Sequence, residues 1–268
     1  MSETVLFETR GAVGVMTLNR PESLNAMNPE MLDTMFRVAQ KAADDPAVRC
    51  LVITGNGRAF SAGGDVKAMA SGRGENGETT GAPVLSGVEA LRQQEEISRL
   101  LAEMPKPTIC AVNGVAAGAG MSVALAADLR IASEQARFTT AFAKVGFSGD
   151  FGGTWLLQRL VGPLKAKELY FLSDVISAQQ ALELGLVTTV VPHDSLMDET
   201  MALAERLAAG PTLAYGRIKD NFTFGATASF SDTLTREAEN MIASGKTADH
   251  QNAARAFVEK REPSFEGR

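Results

Sequence analysis

A chain of 268 residues is long enough for one large domain with a substantial buried core. Hydrophobic residues at 45% and charged residues at 22% are ordinary for a soluble protein. No apolar run reaches the ~18 residues of a membrane span, and "MSETVLFETRG" lacks the basic-then-apolar order of a signal peptide, so a cytoplasmic protein is expected. A net charge of −6 without clustered Lys and Arg excludes a nucleic-acid surface, and Cys50 and Cys110, both in strand-like apolar runs, argue against a disulfide framework.

In chain order, "TVLFET" and "VGVMTL" alternate as two strands joined at Arg10-Gly11, a predicted hairpin. Asn28 before Pro29 is the pair expected at an N-cap and first helical turn, and "MLDTMFRVAQKAA" carries helical periodicity. A buried strand, "CLVITG", follows, then the turn "NGRAFSAGGD" and a predicted helix from Asp65. Ser71 to Pro83, "SGRGENGETTGAP", is polar and Gly-rich and reads as a mobile loop. A helix through "VEALRQQEEISRLLAEM" is ended by "PKP", after which "TICAVNG" and "DLRIAS" read as strands. From Trp155 onward the pattern is helical apart from "LVTTVVP". The chain thus divides into an α/β front, 1–208, and a helical rear, 209–268, with "AAGPTLAYG" interrupting the helices near Ala208.

Several motif matches lack their structural context. Gly72, Gly74 and Gly77 fit G-x-G-x-x-G but follow no strand, and "SGKT" at Ser244 to Thr247 has Asn240 where a phosphate loop needs Gly. The two histidines, His193 in a turn before a helix and His250 on a solvated helix face, support neither a zinc site nor a Ser-His-Asp triad.

Two stretches share a design: "FSAGGDVKAM" and "AVNGVAAGAGMSVALAAD" each run from a strand through small residues into a helix. Small residues let a ligand approach backbone N–H groups, and a helix start adds partial positive charge. Two such turns face to face could hold one oxygen; equally, the glycines could serve only tight packing. A third stretch, "KVGFSGDFGGTW", sets Asp150 among small and apolar residues. There it is either an acid/base group or the cap of a helix beginning near Phe151.

"RAFSAGGDVKAM" and "AVNGVAAGAG" resemble the two signatures of the enoyl-CoA hydratase/isomerase (crotonase) superfamily, and the similarity runs through "NRPESLNAMN", "ISAQQALELGLVTTVVP" and "AFVEKREPSF". The resemblance implies an α/β crotonase (ClpP-like) spiral of β-β-α units, followed by C-terminal helices that build a homotrimer or a hexamer of two trimers. It implies an acyl-CoA thioester as substrate, with coenzyme A as part of it and no separate cofactor or metal. By motif position, the N–H groups of Gly64 and Ala119 form an oxyanion hole. The family commonly has Gly at the second position; Ala119 keeps the donor and adds a methyl. CoA contacts fall to backbone around Ala26 and to Ala62, Asp65 and Val66, with Phe142 in the acyl pocket, and Phe257 and Lys260 near the CoA tail, from a neighbouring subunit if not from the same one.

Two N–H donors on a thioester oxygen stabilise an enolate, one such donor being worth ~3 to 4 kcal/mol. The hydratases of the family add two glutamates, and their positions here hold Ser122 and Phe142. Asp150 falls where isomerases and 4-chlorobenzoyl-CoA dehalogenases of the superfamily place an aspartate, and its surroundings are closest to the ring-epoxide isomerases of phenylacetate degradation. The resemblance therefore implies an isomerase moving a double bond or opening a ring epoxide, with Asp150 as proton shuttle and Phe142, Phe147 and Phe151 keeping water from it. The alternatives are a hydratase, a non-catalytic acyl-CoA binder and an aryl-CoA dehalogenase.

Overall fold

The computed structural model describes residues 4–65 and 87–268; Val66, the loop 71–83 and the helix expected from Asp65 lie outside the described residues. The amino-terminal hairpin forms as expected, with β1 (Val5–Arg10) and β2 (Val13–Leu18) antiparallel and Arg10 opposite Val13. Helix α1 (Pro29–Asp44) starts at Asn28, whose side chain accepts the Met31 N–H at 2.9 Å.

Strands β3 (Cys50–Gly55), β5 (Thr108–Val112), β7 (Leu129–Ser133) and β10 (Thr189–Val191) then add in parallel to β2, giving a six-stranded sheet in the order β1-β2-β3-β5-β7-β10. Parallel neighbours need a crossover. The first, from β2 to β3, runs through α1; the other three begin with a short strand that leaves the large sheet: β4 (Ala59–Ser61) after β3, β6 (Val115–Ala117) after β5, β8 (Arg137–Thr139) after β7. With β9 (Ile176–Ser177) these pair as a second sheet, β4-β6-β8-β9, so the chain alternates between two sheets as it winds. The expected turn at "NGRAFSAGGD" therefore contains a strand.

The helices include α2 (Gly87–Gln94), α3 (Glu96–Glu103), α4 (Ala119–Ala126) and α5 (Gly153–Leu172). The single helix expected through "VEALRQQEEISRLLAEM" is thus two, interrupted at Glu95, and α5 is broken at Gly162 and Pro163. Then come α6 (Ala178–Glu183), α7 (Leu196–Ala208), α8 (Thr212–Gly225), α9 (Phe230–Gly245) and α10 (Ala248–Glu259). Among the described residues no helix is long and apolar enough to cross a membrane.

The large sheet is buried on both faces, which is why its inner strands read as continuous apolar runs. Met16, Leu18, Leu51, Ile53, Cys110 and Val112 pack with the helices α1, α3 and α4, while Val13, Val15, Cys50, Val52, Ile109 and Ala111 meet α7 through Leu196, Ala204 and Ala208. This is the period-two alternation of a strand. Both cysteines are free and buried, and burial pushes each thiol up to about 12.

A buried ammonium ties helix α8 of the rear to the front, alongside Arg49, which bonds Thr212 and the carbonyls of Gly210 and Phe265. Lys219 on α8 donates to Asp128 at 2.8 Å and to the carbonyls of Leu101 and Lys106 at 3.1 and 3.0 Å, using all three of its protons. Burial pulls its pKa below the ordinary lysine value, with Asp128 opposing that shift. Lys219→Met keeps the length of the side chain and strands the acceptors. Its expected cost is roughly 2–4 kcal/mol, read as a lower urea midpoint at unchanged m-value.

Candidate active site

The site begins with a buried asparagine. Asn25 Nδ2 donates to the carbonyls of Asn56 and Ala59, and its Oδ1 accepts the Arg20 N–H, so a fully buried amide holds the 20–27 turn against β4. Leu24 and Asn25 both lie at φ 55, a left-handed conformation that this network offsets. Backbone bonds continue the contact: Ala62 N–H to Leu24 O, Met27 N–H to Gly63 O, Asp65 N–H to Met27 O. Arg20 adds an ion pair to Asp65 at 3.2 Å and a bond to the Ala26 carbonyl. Ala26, Ala62, Gly64 and Asp65, four of the expected ligand-contacting residues, are thereby brought together; Val66 lies outside the described residues.

This ladder decides where the Gly64 N–H points. Met27 pairs with Gly64 as a parallel bridge, in which Met27 bonds to the residues on either side of Gly64, so the N–H of Gly64 itself faces away. The second donor arises differently. Gly118 (φ 52, ψ −127) caps α4 without a side chain, and Ala119 is the first residue of that helix, where N–H groups have no acceptor within the helix. Among the described residues neither N–H donates to a protein acceptor.

Glycine makes the juxtaposition possible. A Cβ on Gly63 would fall 2.7 Å from Ala117 O and 3.3 Å from Ala119 N, so the two turns abut with no room for a side chain. A Cβ on Gly120 would fall 2.6 Å from Ser61 O. Position 120 therefore requires glycine, while position 119 accommodates a buried methyl and keeps its donor.

Asp150 follows on another element. Its loop is shaped by positive φ angles at Gly149 (113), Phe151 (50) and Gly152 (73), and α5 starts only at Gly153, with Gly152 as a cap that contributes no side-chain bond. The helix begins two residues after Phe151, and the Asp150 carbonyl accepts the Gly153 N–H at 3.0 Å. The carboxylate is half-buried, with Oδ1 shut off from solvent.

Around it the structure places residues that sequence reasoning missed. Tyr170 stacks on Phe142 with centroids 5.9 Å apart, and its hydroxyl is hydrogen-bonded to Ser122. A Cβ on Gly153 would strike both the Ser122 Oγ and the Tyr170 hydroxyl, at 2.3 and 2.4 Å. The phenol is pushed up to about 12, first by burial and then by the Asp150 charge, against the Ser122 bond. It is therefore protonated across the physiological range. Glu95, in the break between α2 and α3, accepts the Phe151 N–H at 3.0 Å. Of the three aromatics expected to shield Asp150, Phe142 and Phe151 are buried but Phe147 is 55% exposed, so that expectation fails for Phe147: its ring points outward from the loop. Phe257 is 87% exposed on α10 and Lys260 is the left-handed residue ending that helix; no described contact within one chain brings either to the oxyanion turns. Among the described residues no cluster of three His, Cys, Asp or Glu side chains is arranged to hold a metal ion.

The enoyl-CoA hydratase/isomerase family model matches residues 8–268. Over the whole of both chains the protein is 39% identical to 1,2-epoxyphenylacetyl-CoA isomerase of Escherichia coli, and it is 34% identical to crotonyl-CoA hydratase of Syntrophomonas wolfei, covering 98% of each. An enoyl-CoA hydratase structure from Bacillus anthracis superposes with a TM-score of 0.89 at 29% identity, covering 99% of this chain and all of that one. The chain belongs to the enoyl-CoA hydratase/isomerase family.

The contact at Gly63 gives a test of the paired donors. Gly63→Ala forces a Cβ onto Ala117 O at a φ of +91, so a stability loss of roughly 1–3 kcal/mol is expected. Calorimetric affinity for a non-reacting acyl-CoA should fall at least ~10-fold, the loss of about 1.4 kcal/mol. Wild-type affinity in a folded variant would show that this contact does not shape the donor pair.

Proposed function

We propose that the protein is an acyl-CoA isomerase in which Asp150 shuttles one proton. The observation that supports this most is the placement of Asp150, half-buried in the loop before α5 and near enough to Tyr170 for its charge to help keep that phenol protonated, with Phe142 stacked on the same ring. The thioester oxygen accepts from Gly64 and Ala119. Asp150 takes a proton from the acyl chain, the resulting negative charge spreads onto that oxygen, and the same carboxyl returns the proton to another carbon of the conjugated system. One base suffices if it reaches both carbons. A ring epoxide opens by the same logic, the electron sink serving a C–O bond rather than a double bond. The E. coli relative named for an epoxyphenylacetyl-CoA substrate supports that class of acyl group and a place in phenylacetate catabolism.

Backbone around Ala26, with Ala62, Asp65 and Val66, would hold the CoA moiety, which belongs to the substrate. A hydratase is the second reading, favoured by the name of the S. wolfei relative. Against it stand Ser122 and Phe142, neither of which can activate water as a carboxylate does.

For assembly, a homotrimer or hexamer is supported by an apolar surface too large for a free monomer to carry comfortably: Phe222, Phe230, Met241, Ile242, Phe257 and Val258 are each between 63% and 87% exposed. Burial of that face would also carry Phe257 and Lys260 toward a neighbour's CoA tail. Light scattering at micromolar concentration should return three or six times 28.4 kDa; a monodisperse monomer sinks this proposal.

The proton shuttle is tested with Asp150→Asn. The variant should fold and bind acyl-CoA, while double-bond migration in a 3-enoyl-CoA and solvent deuterium incorporation drop at least ~100-fold. Wild-type protein should hydrate crotonyl-CoA far below the ~10 s⁻¹ of a median enzyme. Isomerisation at the wild-type rate by the variant removes Asp150 from the mechanism, and fast hydration by the wild type favours the second reading.

A further inference from the structure

The Asp150 loop is made of residues that hold no shape by themselves. Gly149 and Gly152 populate positive φ freely, so they select nothing, and Phe151 at φ 50 adopts a conformation its side chain disfavours. Yet a base must stand within a few tenths of an ångström of its carbon acid, since a misplacement of about 1 Å can cost 10²-fold. Something outside the loop has to choose its conformation.

The peptide joining Asp150 to Phe151 is held at both ends. Its carbonyl accepts the Gly153 N–H at 3.0 Å, a local bond within the turn. Its N–H donates to Glu95 Oε1, also at 3.0 Å, from a residue 56 positions upstream. Fixing that plane sets ψ of Asp150 and φ of Phe151, and so the direction in which the carboxylate leaves the main chain. The Phe151 ring adds an anchor, being 3% exposed in the core.

Glu95 is itself well held. It occupies the interruption between α2 and α3, its backbone N–H bonded to Leu91 O and its carbonyl accepting from Ser98. Its second oxygen, Oε2, takes Arg92 Nη1 at 3.2 Å. The Glu95 side chain is only 19% exposed, whereas Arg92 is 56% exposed, so the carboxylate is turned inward and its counter-ion outward. An inward glutamate directed at a main-chain N–H beside the base, and among the described residues at no side chain of the pocket, has the geometry of a strut.

We infer that Glu95 is a positioning residue for proton transfer, aiming the Asp150 carboxylate through the Phe151 N–H. The inference rests on the isomerase reading of Asp150. It separates reach from charge, and two substitutions do the same. Glu95→Gln keeps an oxygen at the same distance and loses the charge; kcat for 3-enoyl-CoA isomerisation should fall by about 3-fold or less, because a neutral acceptor is weaker than an ionised one by about a factor of two in energy. Glu95→Asp keeps the charge but stops short by one carbon, about 1.5 Å; kcat should fall at least ~10-fold with KM within about 2-fold of wild type, the pattern of a group acting only in the transition state. Thermal midpoints and calorimetric acyl-CoA affinity are measured on both. Equal losses in the two variants, a rise in KM alone, wild-type kcat in Glu95→Asp, or failure of Glu95→Asp to fold would each overturn the inference, the last by making Glu95 part of the scaffold. Asp150→Asn run alongside separates the two levels. If it still isomerises, the isomerase reading fails; if it is inactive while Glu95→Asp is fully active, only the role of Glu95 fails.

Discussion

Two stretches of backbone, at Gly63–Gly64 and Gly118–Ala119, approach until a single methyl group would separate them, and the rest of the molecule serves that approach. A peptide N–H that leaves water without finding an acceptor costs free energy. In the proposed site, rigid elements hold two of them in adjacent turns and a ligand oxygen is their partner. On one side the rigidity comes from Asn25, whose amide ties the turn to β4; on the other it comes from α4, every residue of which is buried. The alternation of strands between two sheets is what delivers both turns to the same place: each leaves the large sheet, crosses the small one and enters the site.

In the proposed mechanism the electron sink and the base sit on different turns of this spiral. Gly64 and Ala119 follow β4 and β6, whereas Asp150 follows β8 and precedes α5. The sink is made of main chain and the base of a side chain, so they answer to different constraints. The sink requires glycine at 63 and 120 for space; the base requires its loop to be held from outside. Tyr170, Ser122 and Phe142 then form a wall whose one phenol stays protonated.

The sequence reveals elements whose signal is local. The hairpin at Arg10-Gly11, the Asn28-Pro29 helix start and the buried strand at Cys50–Gly55 each carry their cause within a few residues, and all three stand in the structure. The three-residue strands β4, β6 and β8 are too short for a period to register, which is why a turn was expected where β4 lies. The break at Glu95 has no glycine or proline to announce it. The two signature turns were legible as a pair through resemblance, while spacing alone left packing and ligand binding equally open. Around Asp150, neighbours in sequence were a poor guide: Phe147, three residues away, points to solvent, while Tyr170 and Glu95, 20 and 55 residues away in the chain, meet the loop. Chain proximity says nothing about which way a side chain faces in a loop with four positive φ angles between Gly146 and Gly152.

A donor that belongs to the main chain is encoded by no particular codon. The Ala119 N–H survives any replacement the space allows, and position 119 already carries a methyl where glycine is common. Selection on this fold therefore acts unevenly. In the proposed mechanism the residue carrying a donor can change wherever space allows without loss of the donor, though the glycines at 63 and 120 cannot, while a single base change at an acid/base position redirects what happens to the bound substrate. Lineages built this way can exchange one reaction for another without passing through a form that has lost its hold on acyl-CoA, and so diversify by substitution at few positions against an unchanging anchor.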